Sequence, residues 1–514
     1  MKKKFNTAGL CIPERHYMVD ISARVAEIKQ MADDGEYFTI NRPRQYGKTT
    51  TLNLLSRALQ GEYAVIDTSF EGTGDSLFES EQAFCSRIFK RFSSNVKFTD
   101  EQFSVLLLKY QNEIHDFDSL SDGISSLIME TGKGIVLLID EVDKSSESKV
   151  FLQFLGLLRN KYLARSAGKD ITFQSVILAG VHDIKNLKLR IRSEGDKRFN
   201  SPWNIAVKFP IDMSFAAQEI AAMLTAYGAD KGLDFDAAAI AAEIHKLTNG
   251  YPYLVSDICQ TIDEAPDRDW TPQGVTAAAK IILYEKSTLF DDVIKNIENN
   301  EEVKNTVIAM LLSGESFSYN PYTFEQGILY GIFIEKDGKM AIHNQLFEEM
   351  IYAYLLEQQN IRQLARPLLS VEQGQFTESG RLDMELVLRK FREFMHREYR
   401  KEDGKFIERN GRMLFLAYLK PIINGRGNYW VEPETRENKR MDIAVTYSDE
   451  VFIVELKIWY GKEYIQKGLL QLAGYLDIQG ESKGYLITFG LGQMDDAEPE
   501  WIKAEGKSIF SVIV

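Results

Sequence analysis

Residues 37–55, YFTINRPRQYGKTTTLNLL, constrain what this chain can fold into more than any other stretch. An apolar run (Tyr37, Phe38, Ile40) stops at Asn41. A tight segment from Arg42 to Thr49 follows, and then a Thr- and Leu-rich helix start. Strand, phosphate loop and helix in that order is the layout of a Walker A P-loop. Gly47 lets the backbone approach a phosphate. The successive N–H groups of Arg44, Gln45, Tyr46, Gly47, Lys48, Thr49 and Thr50 would form an anion nest, to which the helix N-terminus adds partial positive charge. Lys48 would reach the β- and γ-phosphates, and the Thr49 hydroxyl would ligate Mg²⁺. The pattern G-x-x-x-x-G-K-[ST] has Gly where Arg42 stands, so Arg42 must be accommodated at the loop's entrance. For a bare G-K-T the competing interpretation is an ordinary strand, turn and helix.

A second stretch turns the loop into a site. Residues 134–140, GIVLLID, are a continuous apolar run of the kind a buried parallel strand requires. The run ends in Asp140-Glu141, which completes a Walker B pattern. A carboxylate there lies at the C-terminal edge of an open α/β sheet, where ligands bind. Asp140 would hold Mg²⁺ through water opposite Thr49, and Glu141 would orient or deprotonate the attacking water. Loop and strand together describe a binding site for ATP or GTP.

Strands alternate with helices through the first part of the chain, predicting an α/β doubly wound parallel sheet. Residues 62–69, 172–180 and 205–209 read as further strands, and 79–91, 99–116 and 151–164 as helices. After Phe215 come Ala-rich helices near 216–228, 234–247 and 253–262. Residues 300–355 carry a helix near 302–312, a stretch ending in 324–330, and two short β runs around Asp337-Gly338, a hairpin signal that suggests a winged-helix module. Residues 356–380 are polar and contain Pro367 and Gly374. The expected organisation is therefore a P-loop core (1–215), a helical lid (216–299), a winged-helix-like module (300–355), a linker (356–380) and a small α+β domain (381–514). A chain of 514 residues has room for roughly three domains or more.

Composition narrows the partners and the compartment. The three cysteines (Cys11, Cys85, Cys259) are widely spaced, which argues against a disulfide framework or a zinc site and fits a reducing cytoplasm. MKKKFNTAGL has no apolar segment behind its lysines, so no signal peptide is expected. No apolar run is long enough to predict a membrane span. The net charge of −14 disfavours nonspecific nucleic-acid binding on its face, but it is uneven. Residues 381–440 hold a surplus of roughly five positive charges, so whole-chain charge is a poor guide to what the C-terminal part binds.

RPRQYGKTT, VLLIDEVDK and NGYPYLV together resemble the prokaryotic AAA-like P-loop ATPases related to the STAND class, over roughly residues 10–350. Their Gly-x-Pro lid signature would be Gly250-Tyr251-Pro252, although Asn249 and Gly250 also suit a plain helix C-cap. The resemblance implies ATP, a winged helix after the lid, a sensor residue after the strand VILAG (His182 or Asp183) and an arginine finger (Arg190, Arg192 or Arg198). A solvated basic loop is the simpler account of those arginines.

The C-terminal domain carries a second constellation. Residues 441–447 read as a strand with Asp442 near its start, and residues 451–457 as a strand ending VFIVELK. Side chains two apart on a strand point the same way, so Glu455 and Lys457 share a face. If the two strands pair as a hairpin, Asp442 joins them. Two carboxylates suit Mg²⁺, a hard cation, and the lysine would position water or stabilise developing charge. A helix behind them holds Gln471 and Tyr475, a Q-x-x-x-Y. Asp…E-x-K followed by Q-x-x-x-Y is similar to the PD-(D/E)xK nuclease superfamily, with a restriction-endonuclease-like fold, over roughly 385–514. That resemblance implies a Mg²⁺-dependent DNA phosphodiesterase with an acidic residue on its first helix, Glu408 before Glu402 or Glu398. Met441 stands where the family has Pro. The basic stretch with Tyr429 and Trp430 is where a phosphate backbone would lie, or simply a solvated face.

Two functions are compatible with this. In the first, an AAA-like ATPase controls a C-terminal nuclease acting on DNA, with nucleotide binding or homo-oligomerisation gating access. In the second, an ATP-dependent regulatory or scaffold switch carries a C-terminal domain that binds nucleic acid or protein without cutting.

Overall fold

The computed structural model describes residues 3–71, 75–145, 148–181, 202–285, 287–313, 317–358, 376–378, 381–398, 408–423, 427–431, 442–448, 450–459, 462–490 and 498–514. They divide into two compact units, Met1–Asn300 with Ser318–Glu348, and Glu301–Phe317 with Glu349–Val514.

The first unit is built on four strands. In chain order it holds α1 (Ser22–Asp33), β1 (Phe38–Asn41), α2 (Lys48–Leu59), β2 (Ala64–Ser69), α3 (Glu81–Val96), α4 (Glu101–Gln111), α5 (Phe117–Thr131), β3 (Ile135–Asp140), α6 (Lys149–Ser166) and β4 (Ser175–Gly180). The strands form one parallel sheet in the order β1-β4-β3-β2. Every residue of β3 and β4 is buried, as expected of central strands covered on both faces. The predicted strand at 205–209 is reduced to a single parallel bridge, Phe38 to Val207. Pro202 and Pro210 bracket the stretch and supply no N–H, and the Trp203 ring is buried with its Nε1–H donating to Thr39 Oγ1. The predicted helix over 99–116 is two elements in part: α4 ends at Gln111, and Asp116 instead caps α5, accepting from Ser119 N at 2.8 Å. α5 is rich in Ser, Asp and Gly, weak helix formers, and its stability comes from burying Leu120, Ile124 and Leu127.

Five helices follow as a lid: α7 (Ala217–Lys231), α8 (Ala237–Thr248), α9 (Pro252–Glu264), α10 (Pro272–Tyr284) and α11 (Thr288–Glu298). α8 ends on Asn249 and Gly250, both in the left-handed region, and Pro252 then opens α9 at a first-turn position it suits. Gly250 is needed twice over, since its φ is +70° and a Cβ there would lie 2.1 Å from the Phe215 carbonyl oxygen. Gly250→Ala is expected to destabilise this unit by about 3 kcal/mol or more, read as a fall in melting temperature. An unchanged melting temperature would refute this account of the lid junction.

Next come α12 (Glu301–Ser313), α13 (Glu325–Leu329), the antiparallel pair β5 (Phe333–Lys336) and β6 (Lys339–Ile342), and α14 (Gln345–Gln358), a helix the sequence pattern did not reveal. α12 groups with the second unit and the hairpin with the first, so the division falls inside the segment read as one winged-helix module.

In the second unit, β7 (Thr377–Glu378) pairs with β8 (Arg381–Leu382). After α15 (Met384–Glu398) and α16 (Glu408–Ile423) come β9 (Gly427–Val431), β10 (Ile443–Tyr447), β11 (Glu450–Ile458), α17 (Lys462–Gln479), β12 (Lys483–Phe489), β13 (Glu500–Ala504) and β14 (Lys507–Ile513). The six longer strands form a mixed sheet, β13-β14-β12-β11-β10-β9, parallel only at β11–β12 and β12–β14. Ala444, Ile453, Leu486 and Ile509 face α17. Residues of the opposite parity face the other helices: the Phe489 ring lies under Gly411 of α16, and Arg389 of α15 lies over Phe510. The closing hairpin, β13 and β14, turns at Glu505 and Gly506, both left-handed.

Candidate functional site

β1 delivers the chain to the loop, and Arg42 N continues its ladder by donating to Gly180 O. The backbone then turns through Gln45 (φ 56°) and Gly47 (φ 81°), and Lys48 opens α2. A side chain at Gly47 would meet open space, so the loop is open where phosphate would approach, and φ there suits glycine. The Lys48 ammonium is buried and donates to the carbonyls of Arg42 and Pro43 at 2.9 and 2.8 Å. Burial holds its pKa below the usual value, and the carboxylates of Asp143, Glu141 and Asp140 pull it back up.

Arg42 takes the place of the first loop glycine by turning its side chain outward. Its guanidinium donates to the carbonyls of Asn41 and Ile211 and lies over the Phe209 ring, 5.1 Å from the centroid. The loop is also braced from the lid. Arg44 pairs with Asp292 at 3.4 Å, Gln45 donates to Thr288, and Tyr251 of the Gly-Tyr-Pro turn donates to the Arg44 carbonyl. The Tyr46 ring is buried edge-on to Tyr251, and its hydroxyl lies 3.3 Å from His343 Nε2. Thr50 accepts from Cys11 N.

Burial pushes the His343 imidazole down to about 4, so the folded chain holds it neutral where the unfolded chain, with an ordinary value of about 6.5, binds a proton. The resulting stability is whole above pH ~6.5 and is lost as pH falls toward ~4, a total of about 3 kcal/mol. A His343→Gln variant should therefore show a flatter dependence of melting temperature on pH in that window. Parallel curves for the two proteins would exclude it.

β3 places Asp140 against the loop. Thr49 Oγ1 donates to Asp140 Oδ2 at 2.7 Å, and Glu141 N donates to Asp140 Oδ1 at 2.9 Å. The Walker A hydroxyl and the Walker B carboxylate thus already touch, and these two residues would hold a divalent cation. Glu141 is left-handed (φ 55°), and burial followed by the charge of Asp140 raises its carboxyl above the usual range. Asp143, one turn on, accepts from Val181 N at 2.7 Å and ties this segment to the end of β4. His182, Asp183, Arg190, Arg192 and Arg198 lie outside the described residues.

A cavity of about 910 Å³, counting its open mouth, adjoins the loop. Gln45, Tyr46, Gly47, Thr50 and Thr51 form one side, Phe215 and Pro252 another, and the segment from Asn6 to Ile28 the rest. No sequence motif assigns that segment a role. Its only signal was an unassigned stretch, NTAGLCIPERHYMVD, placed just ahead of α1.

The sequence matches the profile of the AAA-like domain over residues 14–353, most of the chain. The chain belongs to the AAA-like domain family. ATP binding is what membership in this AAA-like family implies, and the loop, Asp140 and the adjoining cavity lie within the matched residues. No curated protein matches the chain. Among solved structures it is similar to the Walker-type ATPase paby2304 of Pyrococcus abyssi (13% identity, 68% of this chain and 99% of that one, TM-score 0.44). It is also similar to the Aeropyrum pernix ORC1 protein in complex with DNA (14%, 65% and 93%, TM-score 0.30). A third is the Aeropyrum pernix ORC2 protein (8%, 66% and 95%, TM-score 0.34). Likenesses this distant carry no argument about this AAA-like chain.

The AAA-like match ends before the second constellation, which lies wholly in the second unit. β10 and β11 pair as an antiparallel hairpin, with Ile443 opposite Val454. Asp442, just before β10, accepts from Leu456 N at 2.7 Å. Lys457 donates to Glu455 Oε1 at 2.7 Å, and Glu455 is fully buried. Glu455 Oε2 is buried with no hydrogen-bond partner among the described residues. Burial, then the Asp442 charge, holds the Glu455 carboxyl well above its ordinary value against the pull of Lys457. α17 crosses the same face, and Gly468 admits the Lys457 stem, which a Cβ would meet at 3.1 Å. Gln471 Nε2 donates to Tyr475 Oη at 2.6 Å, and the Tyr475 hydroxyl feels the charges of Glu455, Asp442 and Lys457. These five side chains therefore come together. Glu408 is the first residue of α16, but its side chain is outside the described residues, as are those of Glu398 and Trp430 and all of Glu402 and Met441. Among the described residues no group of three or more His, Cys, Asp or Glu could hold a metal, and no helix is long and apolar enough to cross a membrane.

Proposed function

We propose that this AAA-like ATPase hydrolyses ATP and thereby controls a Mg²⁺-dependent nuclease in its C-terminal unit, acting on DNA. At the first site the N–H groups from Arg44 to Thr50 and the Lys48 ammonium would hold the phosphates, Thr49 and Asp140 would hold Mg²⁺, and Glu141 would take the proton of the attacking water. Mg²⁺ would neutralise phosphate charge there. The raised carboxyl of Glu141 suits a proton acceptor working near neutral pH.

The observation that carries the nuclease half is the meeting of Asp442, Glu455 and Lys457 with Gln471 and Tyr475 on one face of the sheet. A buried carboxylate oxygen without a partner among the described residues fits a site built for a cation, and two carboxylates suit the protein share of a Mg²⁺ shell. Bound Mg²⁺ would supply an activated water and polarise the phosphodiester. Lys457 would hold the water and offset charge developing on the phosphate, while Tyr475, which accepts from Gln471, keeps its own proton to donate to a phosphate oxygen. Glu408 would complete the acidic set from α16.

The test is incubation of the purified chain with linear and circular DNA, with Mg²⁺ or Mn²⁺, with and without ATP. Metal-dependent cleavage that is lost in Lys457→Ala supports the proposal. No cleavage of any DNA form with ATP present would exclude the nuclease and leave a regulatory switch whose C-terminal unit binds without cutting.

A further inference from the structure

The cavity beside the phosphate loop is roofed by a closed loop of the N-terminal segment. Its ends are pinned where Lys4 N donates to Arg15 O and Tyr17 N to Lys4 O, at 3.1 and 3.0 Å. Phe5 and Tyr17 are buried in an aromatic cluster with Tyr227 and Trp270 of the lid. Two contacts hold the loop over the site: Thr7 Oγ1 donates to Gln260 of α9, and Cys11 N donates to Thr50 of α2. Compact loops closed at their ends in this way are common places for function.

Asn6 sits on this loop and lines the cavity. Its amide can be assigned from its neighbours. Nδ2 faces the carbonyl oxygens of Ala8 at 2.9 Å and Leu10 at 3.5 Å, and Cys11 Sγ at 3.6 Å. Carbonyl oxygens only accept, so the group facing them must be the NH₂. The one side-chain polar atom left to Asn6 is Oδ1, an acceptor, which has no partner among the described residues. A nucleotide held by its phosphates at Lys48 and Thr49 would extend its nucleoside into this cavity, whose far wall is apolar (Met18, Val19, Ile21).

We propose that Asn6 is the specificity-determining residue for the nucleobase, its Oδ1 accepting a hydrogen bond from the exocyclic 6-amine of adenine. Guanine and hypoxanthine carry an oxygen at that position, which sets acceptor against acceptor. Asn6 cannot flip to suit them without abandoning the Ala8 and Leu10 carbonyls. The proposal rests on the assignment of the cavity to the nucleoside.

The experiment measures affinities of the full chain and of Asn6→Ala for ATP, inosine triphosphate and purine riboside triphosphate, which has only hydrogen at position 6. The expected result is that the parent binds ATP about tenfold tighter than either analogue. Asn6→Ala should lose that margin and leave the affinity for purine riboside triphosphate within about twofold of the parent, because the contact removed from the protein is already absent from that ligand. Equal losses for ATP and purine riboside triphosphate would mean that Asn6 only shapes the loop, and would overturn the proposal. So would a parent protein that binds inosine triphosphate as tightly as ATP. A parent protein that binds none of the three would instead remove the nucleotide assignment itself, and this proposal with it.

Discussion

Lys48→Ala is expected to weaken ATP binding at least about 100-fold, because it deletes the charged side chain proposed to hold the phosphates. The fold should survive the change. Among the described residues the ammonium is bonded only to the carbonyls of Arg42 and Pro43, and burial without a direct carboxylate partner among them is costly in itself. The loop is meanwhile held by the side chains of Arg42, Arg44 and Tyr251, whose contacts with Ile211, Asp292 and the Arg44 carbonyl the substitution leaves in place. Titration calorimetry with ATP reads the affinity and a thermal melt reads the fold. An unchanged affinity in a folded variant would overturn the assignment of residues 42–50 as the phosphate loop.

Asp442→Asn is expected to reduce metal-dependent DNA cleavage by on the order of 100-fold or more while leaving ATP affinity as it was. This variant is cleaner than a change at Lys457 or Glu455. Those two form a buried pair, and removing either member strands the other at a cost of about 3–5 kcal/mol. Asparagine at 442 keeps an oxygen for Leu456 N, so the β10–β11 hairpin retains its tie, and only the negative charge is lost. Gel assays of cleavage with the parent as control decide it. Full activity in Asp442→Asn would mean that the residue is a hairpin clasp and nothing more.

The side chains of both candidate sites, which the structure brings together, were picked out in the sequence for the same reason. Each is assembled from short motifs whose residues are close together in the chain, placed by a strand and its end: GKT after β1, Asp-Glu at the end of β3, E-x-K along β11. What escaped depends on tertiary packing. α5 is made of poor helix formers and forms because its apolar face is covered. Asp116, which looked like the end of one helix, is the start of the next. The bridge at Val207 is all that remains of an expected strand, because the prolines and Trp203 determine the local path. Arg42 looked like a defect when judged by the loop motif. Its purpose depends on Ile211 and Phe209, far away in sequence and close in space. The roof over the cavity was invisible for a related reason. Asn6, Thr7 and Cys11 gain their meaning from Thr50 and Gln260, and no periodicity announces such partners.

The left-handed backbone at Glu141 has a consequence for how this chain would respond to selection. A side chain with a Cβ is held there in a conformation that costs on the order of 1 kcal/mol or more and that glycine adopts freely. A screen rewarding heat resistance alone would be drawn toward Gly or Asn at position 141, and each such winner would discard the carboxylate beside Asp140. If Glu141 takes the proton of the attacking water as proposed, endurance and turnover are rivals at this one residue, and the sequence as it stands favours turnover.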